Sequence, residues 1–379
     1  MFRVSCPASG AVVGFRADPR YCGFPVNARP YRKYIEFVAL CLLASALLWW
    51  FGRNLDWREV GHRVSNANPY LLVIAVLVVC STYVVRAFRW RTLLKPLGPA
   101  RLPDLFAATT IGFSAVFLIG RAGEFVRPVV LPVRDPRVRP SASLVTILVE
   151  RIFDMMAVAM MFAINLIWFR PAVTVDVSFG RVRAAGWGML IATILGVIFL
   201  IWYRTRSAWL IEILDRRVTR WRFIPRRLTN FVMRVLDQLS RALGVLADAR
   251  ALAITLGWTA LLWFGIALAN FLVMQAFGLR VGVSETLFVL GWSLVGSLVP
   301  TPGGAAGAFH AATAAGFLFL GVEKELAAAV SIILHLVDFG PAVLFGIFYV
   351  IRGDLSFSKL RTLVSPEDFE NPVGEVQMR

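Results

Sequence analysis

Long apolar runs limit the possible folds of this chain more than any other feature. A helix needs about 20 mostly apolar residues to cross the hydrocarbon core of a bilayer. Six stretches approach or exceed that length: residues 34–51, 70–90, 143–169, 185–203, 250–278 and 326–351. Within lipid, only helices and closed barrels satisfy all their backbone hydrogen bonds, and runs this long indicate helices. Since the chain is also 58% hydrophobic and only 17% charged, we predict an all-α polytopic membrane protein.

Two further apolar stretches, residues 104–120 and 286–320, do not fit a simple span. The first is short and ends in the sequence GRAGEFVRP. The second contains SLVPTPGGAAGAFH, in which five prolines and glycines fall between Pro300 and Gly307. Both residue types disfavour the interior of a helix. We interpret the two stretches as re-entrant helical hairpins, which gives six transmembrane helices plus two hairpins. Eight plain spans are the alternative.

Basic residues set the expected orientation, because cytoplasmic loops of membrane proteins are enriched in lysine and arginine. The arginine-rich segments are 1–33, 86–103, 121–142 and 204–250, whereas 279–285 and 321–325 have one basic residue each. We expect a disordered basic N-terminal tail (1–33), a membrane domain (34–351) and a C-terminal tail (352–379). Both termini would be cytoplasmic, in a multi-pass protein of the cell inner membrane.

This orientation makes the two hairpins enter from opposite faces, which suggests an inverted repeat. Residues 117–125 would correspond to 298–306, and residues 145–154 to 330–339. Inverted repeats with broken helices are common in transporters, where the substrate site lies between the repeats.

The segment 204–250 is basic and has leucines at helical spacing, so we predict amphipathic helices on the cytoplasmic leaflet. The net charge of +17 then indicates contact with anionic lipid at the cytoplasmic face. No nucleic-acid fold motif accompanies the charge, and we expect no nucleic-acid partner.

Arginines and broken-helix residues near the two hairpins are candidates for binding a lipid headgroup. A guanidinium suits bidentate contact with phosphate, and glycine lets the backbone approach closely. We also expect the break in the second hairpin to free backbone N–H groups for a headgroup. The candidates are Arg86, Arg89, Arg121, Glu124, Arg127, Pro302, Gly303 and Gly304. For Arg86 and Arg89, anchoring at the membrane interface is an equal alternative.

Other ionisable residues lie within apolar segments, where a charge is costly and marks a functional candidate. The predicted charge or proton relay consists of Glu150, Arg151, Asp154, His310, His335 and Asp338. Glu150 and Asp154 share a helix face and repel each other unless a cation or proton intervenes. Arg151 is expected to point about 100° away and to reach another helix. Structural ion pairs are the alternative to a direct role.

The sequence has no enzyme signature, no spacing typical of a metal site and no nucleotide-binding motif, so we predict neither an enzyme nor a cofactor. A membrane glycosyltransferase or lipid-modifying enzyme would need a carboxylate pair near the membrane surface. Glu150 and Asp154 form the one close pair, and they lie too deep for a soluble donor.

Four motifs occur together in order: RAFRWRTLL (86–94), GRAGEFVRP (120–128), LVERIFD (148–154) and PTPGGAAGAFH (300–310). In this order they resemble the lysylphosphatidylglycerol synthase transmembrane family over about residues 34–351. The resemblance implies a flippase-like membrane domain without the synthase domain.

The resemblance also implies a function, namely movement of a polar- or anionic-headed lipid between leaflets. The cargo would be an aminoacyl-phospholipid, hopanoid or glycolipid, and a lipid-synthesis enzyme is a possible partner. The alternatives are the membrane enzyme described above and a non-transporting partner of a lipid-synthesis complex.

Overall fold

The protein is all-helical in the residues that the structure, a computed structural model, describes: 29–168, 184, 186–196, 198–199, 202, 206 and 248–352. The helices are α1 (Arg29–Gly52), α2 (Trp57–Ser65), α3 (Pro69–Leu94), α4 (Leu102–Ile119), a 3₁₀ helix (Gly120–Val126), α5 (Arg127–Arg134), α6 (Pro140–Trp168), α7 (Gly186–Gly196), α8 (Ala249–Ala276), α9 (Val283–Gly296), α10 (Ala306–Phe319) and α11 (Lys324–Ile351). No strand occurs in these ranges.

The chain divides into two compact units, Met1–Ala39 and Leu40–Arg379. In the first unit only residues 29–39 are described, and they are helical, so the helix begins before the predicted boundary at residue 34. The predicted tails and almost all of the basic segment 204–250 lie outside the described residues. The features below belong to the second unit.

In the part of the chain that the structure describes, four helices are long and apolar enough to cross a membrane: Pro69–Leu94, Leu102–Ile119, Ala249–Ala276 and Lys324–Tyr349. A fifth candidate joins Val38–Gly52 to Trp57–Ser65 across a bend of 85°. The multi-pass helical fold is thus confirmed, whereas the number of six spans stays a prediction. Two predicted spans are absent from this set: 143–169, which is α6, and 185–203, which is only partly described.

Polar caps fix where the helices around α2 begin. The Asp56 carboxylate accepts hydrogen bonds from the backbone of Arg58 and Glu59, and Asn68 accepts from Tyr70 and Leu71. These contacts satisfy N–H groups that have no partner in the first turn of a helix. They explain why new helices begin after Asp56 and Asn68, so that α1, α2 and α3 do not form one continuous helix.

The chain reverses direction directly after α4, although α4 is long enough to count as a span by itself. Gly120 has a φ of 69°, and the following 3₁₀ helix packs back onto α4. A Cβ added to Gly123 would lie 2.2 Å from the carbonyl carbon of Ala115, and one on Gly112 would lie 2.0 Å from Cγ of Arg127. Glycine at 112 and 123 therefore permits the close return that forms the first hairpin, α4 to α5.

The second interrupted stretch is also a hairpin and not one continuous helix. Helices α9 and α10 have 14 residues each and run antiparallel, with Ser293 Oγ 2.9 Å from Thr313 Oγ1. Gly303, Gly304 and Ala305 all have positive φ values, of 76°, 61° and 61°. This conformation is accessible to glycine and strained for alanine, which accounts for the pair of glycines in the break.

The two hairpins meet at their tips. The Gly304 backbone N–H donates to the Phe117 carbonyl at 2.9 Å, and Gly120 packs against the Thr301 carbonyl. Around them α3 packs along α8, α4 packs on α11, and α9 packs on α6. An inverted repeat would give this crosswise packing, but the repeat itself stays a prediction.

Candidate functional site

A buried network of ion pairs joins α3, α5 and α6. Arg89 is fully buried, and its two terminal nitrogens lie 2.5 and 3.1 Å from the Asp154 carboxylate oxygens. Arg127 makes an equivalent pair of hydrogen bonds to Glu150, at 2.9 and 3.2 Å. Arg89 also lies 3.2 Å from Glu150, which links the two pairs. Guanidinium groups from other helices therefore neutralise the two carboxylates, which would otherwise repel each other because they share one face of α6.

Arg151 completes this network from within α6. Its guanidinium lies 2.9 Å from Glu150 and 3.4 Å from Asp154, so its direct ion pairs are with its own helix. Its interaction with another element, the one with Glu124 of the 3₁₀ helix, is electrostatic. A long flexible side chain can fold back to neighbours one and three positions away, which the direction of its Cβ does not reveal. Three guanidinium groups thus face the two carboxylates of α6, and Arg151 also lies at the edge of the network beside the cavity.

Arg86 differs from these three arginines. Within the described residues its guanidinium makes no ion pair and no hydrogen bond, and its Nε atom is buried without a partner. Its Cζ atom lies 4.6 Å from the centre of the Phe113 ring, a favourable arrangement for a cation. Arg86 is thus held in place by packing while its charge has no partner of opposite sign in direct contact.

A cavity of about 200 Å³ lies where the hairpin tips meet this network. Its polar lining includes Tyr83, Arg86, Glu124, Arg151, Asp154, Ser293, Ser297, Thr301 and Asp338. Its apolar lining includes Phe113, Val116, Ile266, Leu290, Leu294, Phe309 and Phe339. Gly120 and Gly304 contribute one tip each. The cavity can therefore offer both charges and apolar walls to one occupant.

A second cluster of ionisable groups surrounds the break between α9 and α10. The rings of His310 and His335 lie 4.9 Å apart, and His335 Nε2 is 3.2 Å from the Gly304 carbonyl. Nε2 must carry the proton in that contact, because a carbonyl only accepts. The His310 Nε2 atom is buried and without a hydrogen-bond partner in the described part of the chain. The rings of Phe51, Phe117, Phe309 and Phe339 enclose the pair.

The structure places the predicted site residues in different parts of the site. Arg86, Glu124, Arg151, Asp154, Asp338 and Gly304 line the cavity. Arg89, Arg127 and Glu150 are buried in the ion pairs behind it, and His310 and His335 lie beside the broken tip. Pro302 and Gly303 form the turn itself, and Arg121 lies on the 3₁₀ helix with a side chain outside the described set. For Arg89, burial on α3 does not agree with anchoring at the membrane interface.

One expectation about the broken helix needs correction. The break was expected to free backbone donors for a headgroup, yet the N–H groups of Gly304, Ala305 and Ala306 donate to the carbonyls of Phe117, Thr301 and Gly303. Because donors without partners are costly at membrane depth, the turn satisfies them internally. Side chains, not these amides, supply the polar groups of the cavity.

Sequence reasoning missed several cavity residues. Tyr83 donates its hydroxyl to the Asp338 carbonyl at 3.1 Å, and the Trp263 indole lies 3.3 Å from Asp154. Aromatic residues inside long apolar runs carry no signal that separates these from ordinary core residues. Within the described residues no group of three His, Cys, Asp or Glu side chains could hold a metal ion.

Comparison with known proteins identifies the family. A model of the family described as the lysylphosphatidylglycerol synthase TM region matches residues 37–346. The chain belongs to this family. The match includes both hairpins, the ion-pair network and the cavity, and it confirms the resemblance drawn from the four sequence motifs.

Two relatives show the range of names found for similar proteins. A UPF0104 membrane protein of Pyrococcus horikoshii is 21% identical over 336 residues, which cover 85% of this chain and 97% of the relative. A Haloferax volcanii protein named Glycosyltransferase AglD is 25% identical over 295 residues, or 70% of this chain. That match covers 45% of the Haloferax protein, so the chain spans less than half of its length.

Proposed function

We propose that this protein moves a polar- or anionic-headed lipid between the leaflets of the membrane, as a flippase or scramblase. The cavity between the two hairpin tips is the observation that carries the proposal. It brings Arg86 and Arg151 next to a break in each hairpin. Irregular backbone at membrane depth is tolerated where it is buried or lines a cavity, and in transporters such breaks mark the substrate site.

The hairpins are re-entrant in this proposal and enter from opposite faces, with both termini in the cytoplasm of a cell with an inner membrane. The headgroup crosses through the cavity while its acyl chains stay in lipid. A phosphate that enters hydrocarbon alone must give up its hydration, which makes unassisted transfer very slow. Arg86 replaces part of that hydration, because its guanidinium has no carboxylate in direct contact.

The buried arginines have a supporting role in this mechanism. Arg89 and Arg127 bind Asp154 and Glu150 and thereby fix α6 against α3 and α5. They hold the two carboxylates in ion pairs, and Arg151 brings a further guanidinium to the cavity. Asp338 also lines the cavity and interacts electrostatically with Arg86. A relay of protons through Asp338, His335 and His310 is the form of energy coupling that we propose.

Reconstitution into liposomes tests the proposal. The purified chain is compared with empty liposomes that contain phosphatidylglycerol, phosphatidylcholine or a neutral glycolipid, each with a fluorescent tail and initially labelled in both leaflets. Loss of fluorescence to an impermeant quencher reports how fast lipid from the inner leaflet reaches the outer one. We expect faster movement of at least one of the three lipids with protein. Equal rates with and without protein for all three would reject lipid translocation for these headgroup classes.

A membrane enzyme that acts on a lipid carrier is the second candidate, and the similarity to a protein named glycosyltransferase favours it. Glu150 and Asp154 would have to act as the carboxylate pair, yet both are bound to arginines. Chemical turnover of a labelled lipid in detergent, without any change in transbilayer movement, would support this candidate over transport.

A further inference from the structure

We propose that the cavity opens sideways to the lipid through a portal between α6, the first hairpin tip and the end of α9, and that the portal admits the headgroup of an anionic phospholipid. The inference rests on the proposed function and adds the entry route and the lipid class. The evidence for the portal is that exposed apolar residues lie next to polar residues that line the cavity.

The first side of the portal is α6. Arg151 lines the cavity with 29% of its side chain exposed, and Met155, one helical turn later, is 72% exposed. At 100° per residue Met155 lies only 40° from Arg151 around the helix. Asp154 lies 60° to the other side and is buried. Arg151 therefore marks the border between the cavity and the outer apolar surface of α6.

The other two sides repeat this pattern. Glu124 lines the cavity from the first hairpin, and its neighbour Phe125 is 66% exposed. Ser297 lines it from the end of α9, and Leu298 is 63% exposed. On each of the three elements a polar lining residue thus has an exposed apolar neighbour, either the next residue or, on α6, the residue one helical turn later. By contrast, Thr82 and Tyr83, which line the cavity from α3, are buried.

The packing of α6 and α9 is consistent with an opening at this level. Gly291 lies against Phe162, and Asn165 donates to the Ser284 carbonyl, so the two helices run antiparallel in close contact there. Helix α9 ends at Gly296, so it stops near the level of Met155. The contact between the helices ends where the polar lining begins, near the middle of α6.

The lining of the cavity suggests the occupant. Two lining residues, Arg86 and Arg151, carry guanidinium groups, which bind phosphate well, and Arg86 has no carboxylate in direct contact. The exposed side chains of Phe125, Met155 and Leu298 suit acyl chains, which a lipid leaves in the membrane as its headgroup enters. An anionic phospholipid meets both requirements, whereas a soluble anion would gain nothing from the apolar border.

Photolabelling of the reconstituted full-length chain tests the portal. The probe is phosphatidylglycerol with a photoreactive diazirine on its headgroup, and adducts are located by mass spectrometry. We expect adducts on residues 151–155, 124–125 and 297–298, and few near Ser81, which is exposed at the middle of α3. Equal labelling around Ser81 and at the portal, or adducts restricted to helix ends, would overturn the inference.

Two matched variants sharpen this test. Met155→Trp narrows the portal, whereas Met160→Trp places the same ring on the opposite side of α6, at a residue that is 49% exposed. We expect Met155→Trp to lower the portal adducts by roughly tenfold, which corresponds to a change of about 1.4 kcal/mol in entry of the headgroup. Met160→Trp should leave them unchanged. The same adduct yield in both variants would contradict the portal.

Labelling and transport can fail separately, so the portal and the proposed function are distinguishable. Transport without adducts at the three sides would reject the portal and leave translocation standing. Adducts there that Met155→Trp removes, in a protein that transports no lipid, would support the portal as a lipid-binding site and reject translocation.

Discussion

The ion-pair network around α6 and the histidine pair beside α11 occupy matching positions in the predicted repeat, but different interactions stabilise them. Glu150 on α6 pairs with Arg127 beyond the first hairpin, and His335 on α11 pairs with Gly304 in the second. Three arginines and two carboxylates stabilise the first cluster. One hydrogen bond and a set of phenylalanine rings hold the second. The first is therefore suited to fix helices, and the second can rearrange at smaller cost.

The expected free energies differ accordingly. Removal of one partner from a buried ion pair costs about 3–5 kcal/mol, because the other charge stays buried without compensation. A single hydrogen bond contributes about 0.5–1.5 kcal/mol net. Substitutions around α6 should therefore act mainly on folding, and substitutions around α11 mainly on transport.

The largest effect is expected from Glu150→Ala. It leaves Arg127 without its carboxylate and leaves Arg89 and Arg151 with Asp154 alone, so we predict a loss of about 3–5 kcal/mol and poor recovery of folded protein. Size-exclusion chromatography and thermal unfolding in detergent measure it. Glu59→Ala is the control, because its ion pair with Arg63 is exposed and worth no more than about 1 kcal/mol. Similar yields of folded protein for both variants would contradict a structural role for the ion-pair network around α6.

The two hairpins should respond differently to an added methyl group. In Gly123→Ala the new Cβ would overlap the backbone of Ala115 and Val116, so α4 and the 3₁₀ helix must separate. In Gly303→Ala the nearest atom is 3.9 Å away, and only the positive φ resists, at about 1–2 kcal/mol. We expect a clearly larger fall in melting temperature for Gly123→Ala. A larger fall in melting temperature for Gly303→Ala would contradict the close packing of the 3₁₀ helix against α4.

A smaller effect on stability is expected at His335. His335→Leu removes the donor to the Gly304 carbonyl and should destabilise the protein by about 1 kcal/mol, but it should slow lipid movement severalfold because the tip loses its position. His335→Gln retains an N–H donor and should recover part of the rate. If the leucine and glutamine variants transport lipid as fast as wild type, the second cluster has no role in positioning the tip.

The smallest effect should come from Asp135, between α5 and α6, because its partner Arg137 is 47% exposed and solvent screens the ion pair. Two hydrogen bonds from the Arg137 guanidinium, with help from the backbone of Arg101, lower the pKa of this carboxyl from 3.8 to about 2. A lowered pKa stabilises the folded state at pH above 3.8, and the contribution disappears as the pH falls toward 2. Asp135→Asn should therefore melt earlier than wild type at pH 7 and converge with it near pH 2. A difference that persists unchanged at pH 2 would contradict this origin.

The sequence predicted the helical fold and the break near Gly303 because apolar length and prolines or glycines act locally. Residues 104–120, which were predicted as a re-entrant hairpin, instead form one helix up to Ile119, and the chain turns back only after it. It also predicted that Glu150 and Asp154 share a face. It could not assign partners, because Arg89 is 65 residues from Asp154 and Arg127 is 23 residues from Glu150. Arg86 and Arg89 lie three residues apart and seemed equivalent, yet only Arg86 lines the cavity. That difference depends on how α3 packs against α6 and α8, which no local pattern encodes.

Arg86 tests most directly whether a headgroup crosses through the cavity. The measurement is the transbilayer rate of phosphatidylglycerol per copy of reconstituted protein, for wild type, Arg86→Gln and the exposed control Arg91→Gln on the same helix. Loss of a charged hydrogen bond of about 1.5–3 kcal/mol predicts a rate at least about tenfold lower for Arg86→Gln, and a wild-type rate for Arg91→Gln. A folded Arg86→Gln protein that moves lipid as fast as wild type would contradict the account.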